Sequence, residues 1–531
     1  VGDPDVSARP VVRADAIKFV CIFRAQLPAD TMLELLPLLV KHLRSRHVVV
    51  QTYAAYCIER FLVVKQRTAN AAEAAAALAA GGVHGAAAVA AASARPRLTR
   101  EHLSPHLEAL FTGLFAVLEN DQLPENEYVA KALMRALYVT GDGVAPVAEA
   151  VTGRLVGALA RVCNNPANAS FNHYLFEALS VLVRGVCETN AAGTERFEEL
   201  LFPPFQQVLA LDVVEFIPYV FQVLAQLLAL RPAAAGIGPA YAQLYPLLLQ
   251  VPLWERRGNV PALTELLRSY ARRGFGEMAA AHQAGLTPVL GIFQKLLASR
   301  PTERSAFRLL GALLAHGSAA VVGPFISTLL QLLLVRVQEN KTPYFARHFV
   351  VALCQIAGLV GADALEAQLE ALQPGLLPTL VRSVWAPQAD VLAQGEPLQA
   401  KALTVGGALL LTKTRASAQD PEFFKALLPC LLAAAAPETT ATLGVADDEE
   451  EAEEEQTRSF DSTFSRLAYA RVPEDDVFAA VDSGPAALVQ ALGAMCQAAP
   501  GRYTPLMQQV LSPQQTQLLQ GLAQSQNVAL V

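Results

Sequence analysis

Apolar side chains recur at spacings of three and four residues along most of the chain, which is the period of one face of an α-helix. A first clear set is Phe176, Leu179, Val183 and Val186. A second set follows one helix pair later: Phe216, Val220, Val223, Leu224, Leu227 and Leu228. Short segments marked by Pro or Gly separate such stretches. The pattern predicts a series of amphipathic helices of similar length joined by short turns.

The predicted helices form pairs that repeat every 40–47 residues or so, which gives about ten to twelve repeats. No single pair can bury its own apolar face, so neighbouring pairs must stack on each other. The sequence therefore predicts an all-α, HEAT-repeat (armadillo-like) solenoid. One of the longer helices is expected at Leu365–Val384.

Two stretches break the pattern and divide the chain. Residues Ala71–Ala94 are almost pure Ala with scattered Gly, and they lack an apolar stripe large enough to dock. A run of acidic residues follows much later, and like charges in one block favour a solvated loop. The expected organisation is as follows: first HEAT repeats at 1–66, an Ala-rich insertion at 67–100, a central repeat array at 101–436, an acidic loop at 437–459 and C-terminal helical repeats at 460–531.

Composition agrees with a helical array and argues against nucleic-acid binding. The 531 residues are 53% hydrophobic and 17% charged, and the formal net charge is −7. A chain of this length exceeds one ordinary globular core, whereas repeats avoid that limit because each packs only on its neighbours. Wrapping DNA or RNA needs a basic face, so we expect no nucleic-acid partner. An acidic receptor for a basic protein is compatible with this charge.

One stretch, Leu309–Val335, has no Asp, Glu, Lys or Arg and is long enough to cross a bilayer. Gly317 and the pair Gly323-Pro324 interrupt it, as turns between two buried helices would, so we expect no membrane insertion. The polar start Val1–Asp5 lacks an initiator Met and predicts neither a signal peptide nor a complete N-terminus.

The search for catalytic chemistry predicts none. No nucleotide-binding loop, nucleophile elbow or zinc-protease motif occurs in the sequence, so we expect no enzyme activity, no catalytic residue, no cofactor and no metal. His102 and His106 have metal-ligand spacing, but Pro105 lies between them and no carboxylate completes a set. His173 is interpreted as a hydrogen-bonded helix-capping or interhelical residue rather than a group that titrates near neutrality. An α/α-barrel enzyme is a further alternative, but no acid–base set or cofactor motif in the sequence supports it. A deep pocket lined by paired carboxylates would distinguish it from a helical array.

The seven cysteines are scattered singly and form no CxxC pair, which favours buried free thiols over a zinc site. They are Cys21, Cys57, Cys163, Cys187, Cys354, Cys430 and Cys496.

Two places are candidates for partner binding. The first is the turn with Trp254, Glu255, Arg256 and Asn259, because Trp and Arg dominate interface hot spots. Its alternative is structural: Trp254 fills the groove between repeats while Glu255 and Arg256 pair locally. The second is the acidic run Asp447, Asp448, Glu449, Glu450 and Glu451, which could attract a basic partner or serve only as a solvated linker.

Several segments carry a resemblance beyond periodicity. They are Phe171–Glu177, Phe197–Phe202, Glu215–Gln222, Trp254–Leu263, Tyr53–Tyr56 with Glu59-Arg60, Glu125–Tyr128, Phe293–Leu296, Phe460–Ala470, and Cys496 with Pro500–Arg502. The first four of these segments, in this order, resemble the C-terminal half of the importin-alpha exporters, which are HEAT-repeat nuclear transport receptors of the importin-beta (karyopherin) superfamily. The other segments match the same family. The resemblance covers nearly the whole chain and implies a right-handed superhelical solenoid. The family is similar on both sides of the Ala-rich insertion, so we expect the insertion to be dispensable.

The resemblance implies a receptor that binds importin-alpha together with Ran-GTP, contacts nuclear pore proteins, and shuttles between nucleus and cytoplasm as a monomer. The basic importin-beta-binding segment of importin-alpha would suit the acidic run. The family's N-terminal Ran-binding repeats are absent from this chain, so we expect it to bind these partners weakly by itself. The alternative is a generic HEAT or armadillo scaffold for complex assembly, which would have no reason to share the wording of Phe171–Glu177 and Trp254–Asn259.

Overall fold

The computed structural model describes residue 2 and residues 5–65, 96–281, 285–339, 342–392, 395–436 and 466–530. The chain forms two compact units. Unit 1 consists of Val1–Ala235 with Arg458–Val472, and unit 2 of Gly236–Thr457 with Pro473–Val531. This division falls inside the stretch 101–436 that the sequence treats as one array. Unit 1 therefore includes a segment that lies more than 200 residues downstream of the rest of the unit.

Unit 1 is a stack of helix pairs. Its helices are α1 (Pro10–Ile22), α2 (Ala29–His42), α3 (Val48–Leu62), α4 (Arg100–Leu103), α5 (Leu107–Leu118), α6 (Glu127–Thr140), α7 (Ala148–Val162), α8 (Ala169–Cys187), α9 (Gly193–Ala210) and α10 (Ile217–Leu230). The second helices of successive pairs, α3, α6, α8 and α10, pack side by side in one layer. The first helices, such as α2 with α5 and α7 with α9, form the other layer.

Unit 2 repeats this two-layer arrangement. Its helices are α11 (Gly238–Leu248), α12 (Val260–Ala280), α13 (Thr287–Leu297), α14 (Glu303–His316), α15 (Ala319–Val322), α16 (Ile326–Glu339), α17 (Pro343–Val360), α18 (Ala362–Leu372), α19 (Leu376–Leu380), α20 (Ala389–Leu392), α21 (Pro397–Lys413), α22 (Arg415–Gln419), α23 (Pro421–Ala435), α24 (Gly484–Ala498), α25 (Thr504–Val510) and α26 (Pro513–Ser525). The helices α12, α14, α17, α21 and α24 form its second layer. The predicted all-α HEAT-type fold is confirmed.

Side-chain caps explain where several of these helices begin. The Asn126 and Asn168 side chains accept hydrogen bonds from the backbone N–H groups of Tyr128 and Phe171, at 3.2 and 3.0 Å. Thr342 caps α17 in the same way. Each such bond satisfies a donor that has no partner within the helix, so the polar residue before each apolar run sets the start of the helix.

Aromatic packing fills the interior of the stretch on which the resemblance rests. The Phe176 ring lies 4.9 Å from that of Tyr219 and 5.3 Å from that of Phe216, centroid to centroid. These rings join α8 to α10, and Phe205 of α9 completes the cluster. Buried aromatic pairs of this kind contribute about 0.5–1.5 kcal/mol beyond the area they bury.

The Ala-rich insertion lies outside the described residues except at its ends, and those ends meet. Lys65 and Pro96 form an antiparallel bridge. The Arg97 N–H donates to the Val64 carbonyl at 2.6 Å. Leu98 is already fully buried, so the repeat packing resumes two residues before the predicted boundary at 100.

The prediction of one continuous helix at Leu365–Val384 is wrong, because the structure divides this stretch. The structure ends α18 at Leu372 and starts α19 at Leu376, with Gly375 at a φ of 70°. A β-carbon is disfavoured at such a backbone angle, so Gly375 permits the break. A π-helical turn then covers Val381–Trp385. Within the described residues 466–530, the first helix begins at Gly484.

Among the described residues, three helical stretches are long and apolar enough to cross a membrane by length and composition. They are Glu127–Val162, Ala319–Glu339 and Pro343–Val360. In each, apolar residues such as Leu133, Leu329 and Phe349 are fully buried among neighbouring helices. That no segment inserts into a membrane stays a prediction, and this packing supports it.

Candidate partner-binding surface

Residues 466–483, which we name the strap, contain neither helix nor strand and lie on second-layer helices. Residues 466–472 of the strap belong to unit 1, and residues 473–483 belong to unit 2. Every strap contact described below goes to a second-layer helix of the same unit. The strap thus identifies the face of each unit that can hold a peptide.

In unit 1, side chains of α8 and α10 form hydrogen bonds with the main chain of the strap. The carboxylate of Glu177, which is 2% exposed, accepts hydrogen bonds from the backbone N–H groups of Ala468 and Tyr469. The Gln222 side-chain oxygen accepts from the Leu467 N–H at 2.8 Å. Gln226 donates to the Tyr469 carbonyl at 3.2 Å. These hydrogen bonds satisfy buried polar groups of the helices and of the strap main chain. None of them involves a strap side chain.

The side chain of Tyr469 adds further contacts between the strap and unit 1. Its ring lies 5.1 Å from that of Tyr138, centroid to centroid, and its hydroxyl accepts a hydrogen bond from Arg135 at 2.6 Å. Both partners are on α6, so residues 467–469 contact three consecutive second-layer helices. His173 lies next to Glu177, with its Nδ1 3.4 Å from the Tyr219 hydroxyl. This is the interhelical placement, one of the two that the sequence predicts for His173.

In unit 2, the strap is held by charge. The Asp475 carboxylate, 4% exposed, lies 2.7 Å from Nε of Arg268 and 2.8 Å from Arg272. The His316 Nε2 lies 2.7 Å from the same carboxylate. Arg268 is 1% exposed, and it also donates to the Pro473 carbonyl at 2.9 Å. A buried guanidinium and a buried carboxylate thus neutralise each other at the centre of this contact.

The surroundings of Asp475 favour its charged form. Burial raises the pKa of this carboxyl, but the hydrogen bond from His316 and the positive charges of Arg268 and Arg272 outweigh burial and lower the pKa below its ordinary value of 3.8. Asp475 is therefore ionised at neutral pH.

Ion pairs continue on either side of Asp475. Glu474 lies 2.9 Å from Arg308 of α14, and Asp476 lies 2.7 Å from Lys401 of α21. The Phe478 ring, 7% exposed, packs against Gly358 of α17. Three consecutive carboxylates and one aromatic ring therefore contact four second-layer helices of unit 2.

The arrangement is suited to holding a peptide. The polar groups that converge on the strap bond to its main chain, to its carboxylates or, in the case of Arg135, to the Tyr469 hydroxyl. Within the described parts of the chain, no group of three or more His, Cys, Asp or Glu side chains could hold a metal ion. His102 instead takes part in a helix start, since its Nδ1 accepts from the Thr99 N–H at 3.2 Å.

The turn with Trp254 lies in unit 2, just before α12. Trp254 is 3% exposed, and its indole N–H donates to the Leu248 carbonyl at 2.8 Å. Glu255 is exposed and lies 3.5 Å from Lys295. Asn259 is buried at the start of α12, and its side-chain nitrogen has no hydrogen-bond partner among the described residues. Of these four residues, Glu255 and Arg256 are therefore the exposed charged ones, while Trp254 and Asn259 are buried.

The other predicted features are placed as follows. The acidic run from Asp447 to Glu451 lies outside the described residues. All seven cysteines are free, and all are buried except the half-buried Cys163, which confirms that prediction. Burial raises the pKa of the Cys187 and Cys430 thiols to about 12.

Sequence reasoning missed the residues that hold the strap. Glu177 and Gln222 belong to segments that carry the family resemblance, but the sequence alone does not mark them as binding residues. Arg268 and Arg272 are spaced four apart on α12, so they share one helix face, and this face is polar in an otherwise buried helix. Polar residues at this spacing within a buried helix are the sequence signal that could have indicated a binding face. Their common partner, the strap, lies about 200–290 residues downstream and could not be inferred from local patterns.

Comparison with known proteins gives a consistent result. A family model described as "CAS/CSE protein, C-terminus" matches residues 88–522, and a model described as Cse1 matches residues 2–58. Exportin-2 of Xenopus laevis is 33% identical over 532 aligned residues, covering 99% of this chain and 51% of that protein. Exportin-2 of Homo sapiens is 32% identical, again over 99% of this chain and 51% of the relative. The chain thus spans about half the length of the curated relatives it matches.

Solved structures agree on the fold. The exportin Cse1 in its cargo-free, cytoplasmic state superposes with a TM-score of 0.74 at 24% identity, covering 98% of this chain and 50% of that one. A crystal structure of importin beta superposes with a TM-score of 0.54 at 14% identity, covering 97% and 56% of the two chains. Both similarities concern the fold.

Proposed function

This chain belongs to the CAS/CSE family, and from that membership we propose that it acts as the C-terminal half of a nuclear export receptor. The receptor would bind importin-alpha together with Ran-GTP and return importin-alpha to the cytoplasm, passing the pore through contacts with nuclear pore proteins. The observation that carries the proposal is the 33% identity to an exportin-2 over 99% of this chain. Hydrolysis of GTP would take place on Ran, and this chain would contribute binding rather than catalysis.

The second-layer surface supports this role physically. Helices α8 and α10 already hold a peptide in unit 1 through buried Glu and Gln side chains that bond to its main chain, and α6 adds contacts to the Tyr469 side chain. A stacked array of such helices can offer many weak contacts to a large protein ligand. Two ligands that order the same array would strengthen each other's binding, which is the linkage an export receptor needs.

Two contacts are proposed within this function. Glu255 and Arg256 would form a partner contact just before α12, and the buried residues Trp254 and Asn259 would hold the turn in place. The acidic run Asp447–Glu451 would attract a basic segment, such as the importin-beta-binding segment of importin-alpha. Both contacts are expected to weaken with salt, because exposed charges are screened.

The test is a pull-down of this chain, joined to its upstream sequence, with importin-alpha and Ran locked in either its GTP or its GDP form. We expect importin-alpha to be retained with the GTP form and lost with the GDP form. Glu255→Ala, and replacement of the five acidic residues by their amides, should each reduce retention at low salt while the helical circular dichroism spectrum is unchanged. Absence of binding under either nucleotide would overturn the proposal and favour a scaffold with other partners.

A further inference from the structure

The cations that face the strap in unit 2 converge from three different helices. Arg268 and Arg272 come from α12, Arg308 from α14 and Lys401 from α21, and each lies within 2.9 Å of a strap carboxylate oxygen. Because like charges repel, such a set is stable only when carboxylates lie between its members. Glu265 of α12 pairs with Arg268 and Arg308 and balances part of this charge within the helices, and the strap residues Glu474 to Asp476 balance the rest.

The recognition combines side-chain charge with main-chain contacts. The carbonyl of Pro473 accepts hydrogen bonds from Arg268 and Arg272, at 2.9 and 2.8 Å, and the Glu474 carbonyl accepts from Arg272 at 2.9 Å. Carbonyl groups are common to every peptide. Only the consecutive carboxylates and the ring of Phe478 distinguish this segment, so another segment with the same chemistry would satisfy the same groups.

The site also has unfilled space next to these pairs. A cavity of about 120 Å³ lies beside Glu474 and Asp475. Its wall includes one further cation, Arg304, and one further carboxylate, Glu396, together with the stacked rings of Tyr344 and His348, whose centroids are 4.0 Å apart. A segment with an additional aromatic side chain could place it against these rings.

We propose that the faces of α12, α14, α17 and α21 form a binding site for an acidic peptide, which the chain fills with its own residues 473–478. A partner segment with consecutive carboxylates followed by an aromatic residue competes with the strap for this site. The strap is then an internal ligand whose displacement exposes the basic face of unit 2. This proposal is independent of which cargo the chain carries.

The probe is a fluorescently labelled synthetic peptide with the sequence of residues 473–483, added to the full chain. A tethered segment competes at an effective concentration of about millimolar, so the peptide is titrated into that range. Hydrogen exchange at residues 474–481 of the chain should rise severalfold with the acidic peptide. A control peptide with Glu474→Gln, Asp475→Asn and Asp476→Asn should leave exchange unchanged.

Variants of the full chain test the same site from the other side. Arg272→Ala combined with Arg308→Ala weakens the site for the strap, so exchange at residues 474–481 should rise severalfold without any peptide and should respond little when the peptide is added. Arg382→Ala, which removes an exposed pair with Asp420, should leave both results as in the natural chain. If the double variant misfolds, the exchange experiment on the unmodified chain still decides. Peptide binding that leaves strap exchange unchanged, or no binding in the millimolar range, would overturn the proposal.

Discussion

At the scale of single residues, Asp475 is the group on which unit 2 depends most directly. Its side chain is 4% exposed and is shared by Arg268, Arg272 and His316. Removing one partner of a buried ion pair leaves an uncompensated charge, which costs about 3–5 kcal/mol. Asp482 is a strap carboxylate that is exposed, so it serves as a comparison for buried Asp475.

We therefore expect Asp475→Asn to lower the free energy of unfolding of unit 2 by about 3 kcal/mol. Asp482→Asn should change it by less than about 0.5 kcal/mol, as exposed substitutions do. Urea unfolding followed by hydrogen exchange at α12 and α14 would measure both. Equal effects of the two substitutions would show that the Asp475 contacts are not stabilising.

The pKa of Asp475 also predicts a pH dependence. A carboxyl whose pKa is lower in the folded protein than in the unfolded chain stabilises the fold above its unfolded pKa, and this contribution is lost as pH falls through the folded pKa. The ordinary value is 3.8, so unit 2 should lose stability as pH falls below about 4. Thermal unfolding between about pH 6 and pH 3 should show a smaller loss for Asp475→Asn than for the natural chain. Parallel curves would contradict this assignment.

At the scale of elements, the contact between α17 and the strap depends on a missing side chain. A β-carbon at Gly358 would collide with the Phe478 ring, whereas one at Gly311 of α14 would meet nothing within 4 Å. Both glycines lie inside second-layer helices, so they share the helix-propensity gain of about 0.5–1 kcal/mol that Ala brings.

Gly358→Ala should therefore expel Phe478 and raise hydrogen exchange at residues 476–481, and it should lower the melting temperature. Gly311→Ala should leave strap exchange unchanged and should hold or slightly raise the melting temperature. Exchange mass spectrometry on the two variants gives the comparison. Unchanged exchange in Gly358→Ala would mean that the ring finds another place without loss.

The Ala-rich insertion gives a second prediction at this scale. Its flanking residues Lys65 and Pro96 are bridged, so the chain leaves the repeat and returns at one place. Replacing residues 66–95 by a two-residue Asn-Gly turn suits such an antiparallel pair. The melting temperature should change by no more than about 2 °C, and binding of importin-alpha should be retained. A large loss of stability would show that the insertion packs on the repeats.

At the scale of the whole molecule, the sequence determines the helices better than it determines the contacts between distant segments. The helix at Pro343–Val360 follows local signals in the sequence, because Thr342 caps it and its apolar spacing is regular. The strap could not be predicted, because Glu177 and Ala468 are separated by 291 residues. No local pattern encodes such a pairing. Periodicity also failed at Leu365–Val384, where Gly375 breaks the helix although the apolar spacing continues.

The central claim is that the chain works as half of an export receptor, and linkage tests it most directly. The measurement is the dissociation constant of importin-alpha for the chain with its upstream sequence, by calorimetry, with saturating Ran-GTP and then with Ran-GDP. We expect the affinity to be at least about tenfold tighter with the GTP form, a coupling free energy of about 1.4 kcal/mol or more. Equal affinities with the two nucleotide forms would contradict the claim.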